Sequence, residues 1–176
     1  KMKIKNFLDK TGNFLLNRLS ELVGIFLLAS SIFLIVSLIS YSPEDPNFIF
    51  PENTEIKNLL GIKGSYASDI LYQSLGLIAL LVPVSFFFIS LSIIIDKKIL
   101  YILESTFFII LYSLVGTLFF TVFHTETYWL TINGNNGFVG NLFEETFLIK
   151  FISLNNKISY IILIFLISLL FLLSIK

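Results

Sequence analysis

Nineteen residues without a charge, Leu22 to Ser40, stop abruptly at Tyr41-Ser42-Pro43-Glu44-Asp45-Pro46. About 20 apolar residues in a helix cross the hydrocarbon core of a bilayer. The segment that follows cannot extend that helix. Pro43 and Pro46 each lack a backbone N–H and disfavour helical geometry in the residue before them. The chain therefore crosses, stops, and surfaces beside two carboxylates.

Three further runs repeat this pattern. Ile70 to Ile95 is uncharged, Ile99 to Phe123 carries only Glu104, and Ile158 to Ile175 is uncharged. The chain is 56% hydrophobic, against about 45–50% for a soluble domain, and the excess sits in these four runs with the charges between them. The predicted fold is all-α and integral to the membrane, with four crossings. A cytoplasmic amphipathic tail (1–21) precedes the first crossing (22–40). An outer loop (41–69), the second crossing (70–95), a tight turn (96–98) and the third crossing (99–123) follow. A second outer loop holding a short helix (124–157) leads to the last crossing (158–175). Barrel strands would be about ten residues long with alternating polarity, which is absent. The first run is too long for a cleaved signal core, and no small-residue cleavage site follows it, so it is expected to remain as an anchor.

Lysine and arginine set the orientation. Lys1, Lys3, Lys5, Lys10, Arg18, Lys97, Lys98 and Lys176 fall on one side, against Lys57, Lys63, Lys150 and Lys157 on the other. Eight against four predicts both termini in the cytoplasm. In the tail, Ile4, Phe7, Leu8, Thr11, Leu15 and Leu19 recur at helical spacing among basic residues. This reads equally as a separate helix lying on anionic lipid and as an extension of the first crossing. Phe138 to Leu154 is apolar but broken by Glu144, Glu145 and Lys150, so it is expected to form a short helix on the outer side, packed on the bundle or half-inserted.

Chemistry is sparse. With no cysteine and one histidine, neither a disulfide framework nor a thiolate metal site is available. Glu104 is the only ionisable group inside a run. It reads as an interfacial carboxylate, since a proton path would need a partner charge at similar depth. His124 and Glu126 stand beside Tyr128 and Trp129, and this group reads as an interfacial aromatic belt rather than a ligand pair. The segment TINGNNGFVG has the glycine density of a nucleotide loop but not its spacing; its Asn-Gly pairs read as turns. No catalytic residue, cofactor-binding residue or metal ligand is predicted.

Small residues cluster around the second run: Gly61, Gly64 and Ala67 before it, Gly76 and Ala79 within it. Such residues let helices approach closely, either at an oligomer contact or in the packing of one bent bundle. Pro83 is expected to kink the run.

These elements, in order, resemble the amino-terminal four-helix membrane domain of the FtsK/SpoIIIE DNA translocases. The resemblance spans roughly residues 20–175. It rests on ELVGIFLLA and on Ser40, Tyr41, Ser42, Pro43, Asp45 and Pro46. It continues with Gly61, Gly64, Ala67, Asp69, Gly76 and Pro83 in NLLGIKGSYASDILYQSLGLIALLVP, and more weakly with Gly137, Phe138, Val139, Gly140 and Leu142. Asn155 and Asn156 stand where family members often carry glycine. The resemblance implies a non-catalytic anchor that places a motor at the bacterial division septum in the inner membrane, supports homo-oligomerisation and contacts division proteins. ATP, Mg and DNA would belong to a motor domain expected beyond Lys176. The alternative, a small multi-pass transporter or channel subunit, needs a polar path, and the runs offer mainly Ser, Thr, Gln73 and Glu104. A membrane-embedded enzyme is disfavoured by the absence of paired ionisable residues.

Overall fold

The computed structural model describes residues 2–47, 55–124, 130 and 132–175, with side chains described from Lys10 onward. Among the described residues every regular element is helical. The helices are α1 (Met2–Ile39), α2 (Gly61–Leu75), α3 (Leu81–Asp96), α4 (Tyr101–Phe123), α5 (Gly137–Asn141), α6 (Phe147–Ile152) and α7 (Asn156–Ser174). Four helical stretches are long and apolar enough to cross a membrane: Lys10–Ile39, Gly61–Asp96, Tyr101–Phe123 and Phe147–Ser174.

The helices associate as two pairs, α1 with α3 and α4 with α7, joined where α3 meets α4. Gly24 lets α1 approach α3, since a Cβ there would lie 2.6 Å from the Ile94 side chain. Gly116 of α4 likewise receives Ile78. The central core is Ile78, Val82, Ile89, Ile93, Ile109 and Tyr112. A second cluster of Leu38, Tyr72, Ala79 and Leu130 closes the end at which α1 stops. Hydroxyls buried in the bundle mostly bond back to their own helix: Ser31 donates to the Leu28 carbonyl, Ser37 to Phe33 and Ser90 to Phe87. That pattern lets serine sit in an apolar layer without an orphaned donor.

The tail and the first crossing are one uninterrupted helix of 38 residues, the second of the two readings that the sequence left open, because no proline or glycine pair interrupts the register between Met2 and Ile39. The second crossing differs from the sequence reading. The second run begins at Gly61, nine residues before Ile70, and its break is not at Pro83. It lies at the 3₁₀ segment Gly76–Leu80, where Gly76 takes φ +68°. Pro83 sits in the first turn of α3, where a missing N–H costs little. The Ala79 carbonyl that it would have served accepts from the Leu81 N–H instead.

At the opposite end, Lys97 closes α3 in the left-handed region at φ +59°, its N–H bonding the Ile93 carbonyl at 2.9 Å. Its ammonium reaches Glu21 of α1 at 3.0 Å, and Glu21 also accepts from Arg18 at 2.5 Å.

Candidate functional site at the loop end

The residues that stood out in the sequence gather at one end of the bundle in two linked knots. The first ties the end of α1 to the start of α2. Asp45, 2% exposed, accepts the backbone N–H groups of Lys57 and Asn58, each at 2.8 Å. A carboxylate holding two backbone donors is a strong, charge-assisted clamp. Asn58 in turn donates to the Ser37 carbonyl at 2.9 Å and accepts from the Leu60 N–H at 3.1 Å. Ser40 bonds the Val36 carbonyl and accepts from the Leu59 N–H, and Ser65 donates to the Pro46 carbonyl at 2.8 Å. Thus the Ser37 carbonyl at the end of α1 is met by Asn58, from the segment that leads into α2, as a helix end requires.

Gly64 has a concrete reason to be glycine: a Cβ would lie 2.1 Å from Asn58 Oδ1. Gly61 is needed for its backbone, at φ +64°. Ser42 supplies the carbonyl that turns the chain onto Asp45 at 3.2 Å. Pro43 and Glu44 project outward. Exposed Lys57 pairs with Glu44 and holds its carboxyl below the usual range, mainly through that hydrogen bond.

One turn further along α2, Asp69 is 6% exposed. Its Oδ1 accepts from the Tyr41 hydroxyl at 3.4 Å and from Gln73 at 3.3 Å. The Tyr41 ring meets that of Tyr72 at a tilt of 53° with centroids 4.9 Å apart, and Tyr72 donates to the Leu38 carbonyl at 3.1 Å. Burial first, and the Asp69 charge second, push the Tyr41 phenol up to about 12. Ala67, on the same helix, is half-buried.

The second knot seats the loop 132–141 on the break in the second crossing. Breaking a helix frees a carbonyl and an N–H, which inside a membrane must find partners. The loop supplies both. Asn135 accepts the Leu77 N–H at 2.9 Å, and Asn133 donates to the Gln73 carbonyl at 3.2 Å. Gly76 and Gly137 face each other across this seam: a Cβ on Gly76 would lie 2.0 Å from the Asn135 carbonyl oxygen, and one on Gly137 2.4 Å from the Gly76 nitrogen. Asn136 is buried and donates to Thr121 of α4 and to Asn141. A Cβ on Gly140 would press on Asn136 and Thr121.

Gly64, Gly76 and Ala79 therefore pack inside one chain, the second of the two readings of these small residues, and Gly76 sits at an internal seam. The sequence reading missed Asn58, Ser65, Tyr72, Thr121 and the three asparagines 133, 135 and 136. The turn signal of TINGNNG was visible, but not the helix break on which it docks. His124 joins Phe119, Phe123 and Tyr160 in an aromatic cluster, with Tyr160 5.2 Å from both phenylalanine rings. Its proposed companions Glu126, Tyr128 and Trp129 lie outside the described residues. Glu104 is exposed on the first turn of α4, at the other end of the bundle.

The model of the 4TM region of DNA translocase FtsK/SpoIIIE matches residues 17–176, the bundle and both knots. The chain belongs to that family. Individual FtsK/SpoIIIE relatives align over a shorter stretch. A DNA translocase FtsK from Rickettsia bellii is 48% identical over 50 residues, which are 28% of this chain and 7% of that protein. One from Rickettsia typhi is 43% identical over 54 residues, 31% of this chain and 7% of that protein. The matched segment is thus a small part of each relative's length. No solved structure matches the chain. As an FtsK 4TM region, it is a multi-pass membrane domain.

Proposed function

We propose that this chain is the membrane anchor and septal-assembly domain of an FtsK-type DNA translocase, with both termini in the cytoplasm and no catalytic step of its own. The observation that carries this reading is the family match across all four crossings, since the matched relatives bear the name DNA translocase FtsK. The excess of lysine and arginine at the α1 start and the α3–α4 turn supports the orientation. The layout has a mechanical logic. A motor that pulls cytoplasmic DNA needs its connection on that side, and an even number of crossings from a cytoplasmic amino terminus provides it. ATP, Mg and DNA would be handled by the motor, not by these helices.

The two knots fit an anchor that bears load. Pulling on either end of the bundle is resisted by cross-links between α1, α2 and α4 rather than by single helices sliding in lipid. Outside the membrane the cap would offer Pro43, Glu44, Leu59 and Ile62 to other division proteins. Self-association, which the reading includes, would use helix faces other than the glycine seam.

A fluorescent fusion of the full-length protein tests this. In dividing cells it is expected at the septum, and exchange of residues 17–176 for an unrelated four-crossing domain should disperse it over the membrane. Even distribution of the unexchanged fusion would overturn the septal role.

A further inference from the structure

Between α1 and the α3–α4 turn lies a groove of about 390 Å³. Leu16 and Leu100 give it apolar walls, and Lys97, Lys98, Tyr101 and Glu104 line its polar side. It opens where α3 ends and α4 begins, the level at which a lipid headgroup sits beside a bundle of crossings. Its charges are unevenly occupied. The Lys97 ammonium is held by Glu21, which also holds Arg18. Among the described residues the Lys98 ammonium pairs with no carboxylate; it lies 3.4 Å from the Tyr101 hydroxyl and 5.5 Å from that ring's centroid. Among the residues that line the groove, Lys97 and Lys98 stand against Glu104 alone, so the lining itself keeps one positive charge.

We infer that this groove binds one anionic diacyl phospholipid, its phosphate held by Lys98 and the Tyr101 hydroxyl and its chains lying along Leu16 and Leu100. Basic pockets between crossings hold anionic headgroups because phosphate oxygens replace water on the ammonium while the chains stay in lipid. Apolar walls continuous with a cationic rim suit a molecule with both parts. A free phosphate would use the rim alone and leave Leu100, 71% exposed, uncovered. Glu104 stands one turn further along α4 than Tyr101 and repels a phosphate. That sets a sign: an anionic lipid binds better without the Glu104 charge, whereas a zwitterionic lipid would lose the partner of its ammonium. The inference rests on the four crossings and not on which side the turn faces.

The test is native mass spectrometry of the full chain in detergent with added phosphatidylglycerol or phosphatidylcholine. Phosphatidylglycerol is expected to bind in preference. Lys98→Gln should weaken it about fivefold, from the roughly 1 kcal/mol that a basic residue contributes at an anionic surface. Glu104→Gln should strengthen it, and Lys63→Gln, at the opposite end, should leave it unchanged. Glycerol 3-phosphate, a headgroup without chains, should not displace the lipid. Equal binding of the two lipids, an unaffected Lys98→Gln, a weakened Glu104→Gln, or displacement by glycerol 3-phosphate would each overturn the site. Carbonate extraction of the membranes separates the two levels: a chain that resists extraction but shows no lipid preference refutes the site alone, whereas a chain that carbonate releases refutes the crossings and the site with them.

Discussion

The Asn135 carbonyl accepts the N–H of Leu77 at 2.9 Å, directly against the bare α-carbon of Gly76. The second crossing is broken where a loop from the other half of the chain completes it. Helix break and loop are one structure contributed by residues about 60 apart in sequence.

Gly76→Ala is therefore expected to unfold this seam. Gly76 needs φ +68°, and the added methyl meets backbone at 2.0 Å. A left-handed non-glycine residue alone costs about 1–3 kcal/mol, and the clash adds to it. Thermal unfolding in detergent should fall accordingly, while oligomer size at low temperature stays that of the parent. An unchanged unfolding temperature with an altered oligomer would restore Gly76 to an intermolecular role.

Asp45→Ala leaves the backbone N–H groups of Lys57 and Asn58 without their acceptor. Hydrogen bonds to a charged group contribute about 1.5–3 kcal/mol each to stability when buried. A loss of about 3 kcal/mol is expected, with Asp45→Asn losing less because its amide oxygen can still accept one bond. Ser42→Ala, at a half-exposed turn position, should stay within about 0.5 kcal/mol of the parent. Unfolding in denaturing detergent ranks the three.

How much of this was legible in sequence depends on the kind of signal. Hydropathy and length marked the crossings, because burial in lipid leaves a compositional trace that needs no partner. Tyr41–Pro46 and Gly61–Gly76 were visible as unusual words, but not that Asp45 clamps Lys57 and Asn58, since a contact across a loop has no periodicity. Pro83 illustrates the limit. Proline usually bends a helix by what it lacks, yet here Gly76 bends it first, and Pro83 falls where the missing N–H has no duty. The docking of asparagines 133–136 was hidden because its other half, the freed Gln73 carbonyl and Leu77 N–H, exists only once the helix has broken.

Tyr41 should titrate late. Its phenol is pushed from 10.0 up to about 12 by burial and by the Asp69 carboxylate. The sign follows from the raised value: the native state keeps a proton that the unfolded chain releases. The contribution is thus complete below pH 10, declines from there, and is gone above about 12. Phenolate absorbance of the parent, compared with Tyr41→Phe, isolates this group. Asp69→Asn should bring its titration down. A Tyr41 that ionises near 10 would show the contact with Asp69 to be open to water.

Helix α6 and its 3₁₀ extension expose Phe147 at 75%, Phe151 at 62% and Leu154 at 79%. Together they make one apolar face, and no residue of α6 is buried. This face is expected to lie in lipid, the half-inserted alternative drawn from sequence. A nitroxide at Phe151→Cys should be more accessible to oxygen than to a water-soluble nickel chelate, and one at Lys150→Cys the reverse. Equal accessibility at both would place the segment in water.

The orientation of the bundle can be measured directly, because the chain has no cysteine. Glu44→Cys and Lys98→Cys mark the two ends of the bundle at exposed positions. In intact spheroplasts a membrane-impermeant maleimide should label Glu44→Cys at once and Lys98→Cys only after lysis. Labelling of Lys98→Cys in intact spheroplasts, with Glu44→Cys protected until lysis, would invert the bundle and contradict the proposed anchor of a cytoplasmic DNA motor.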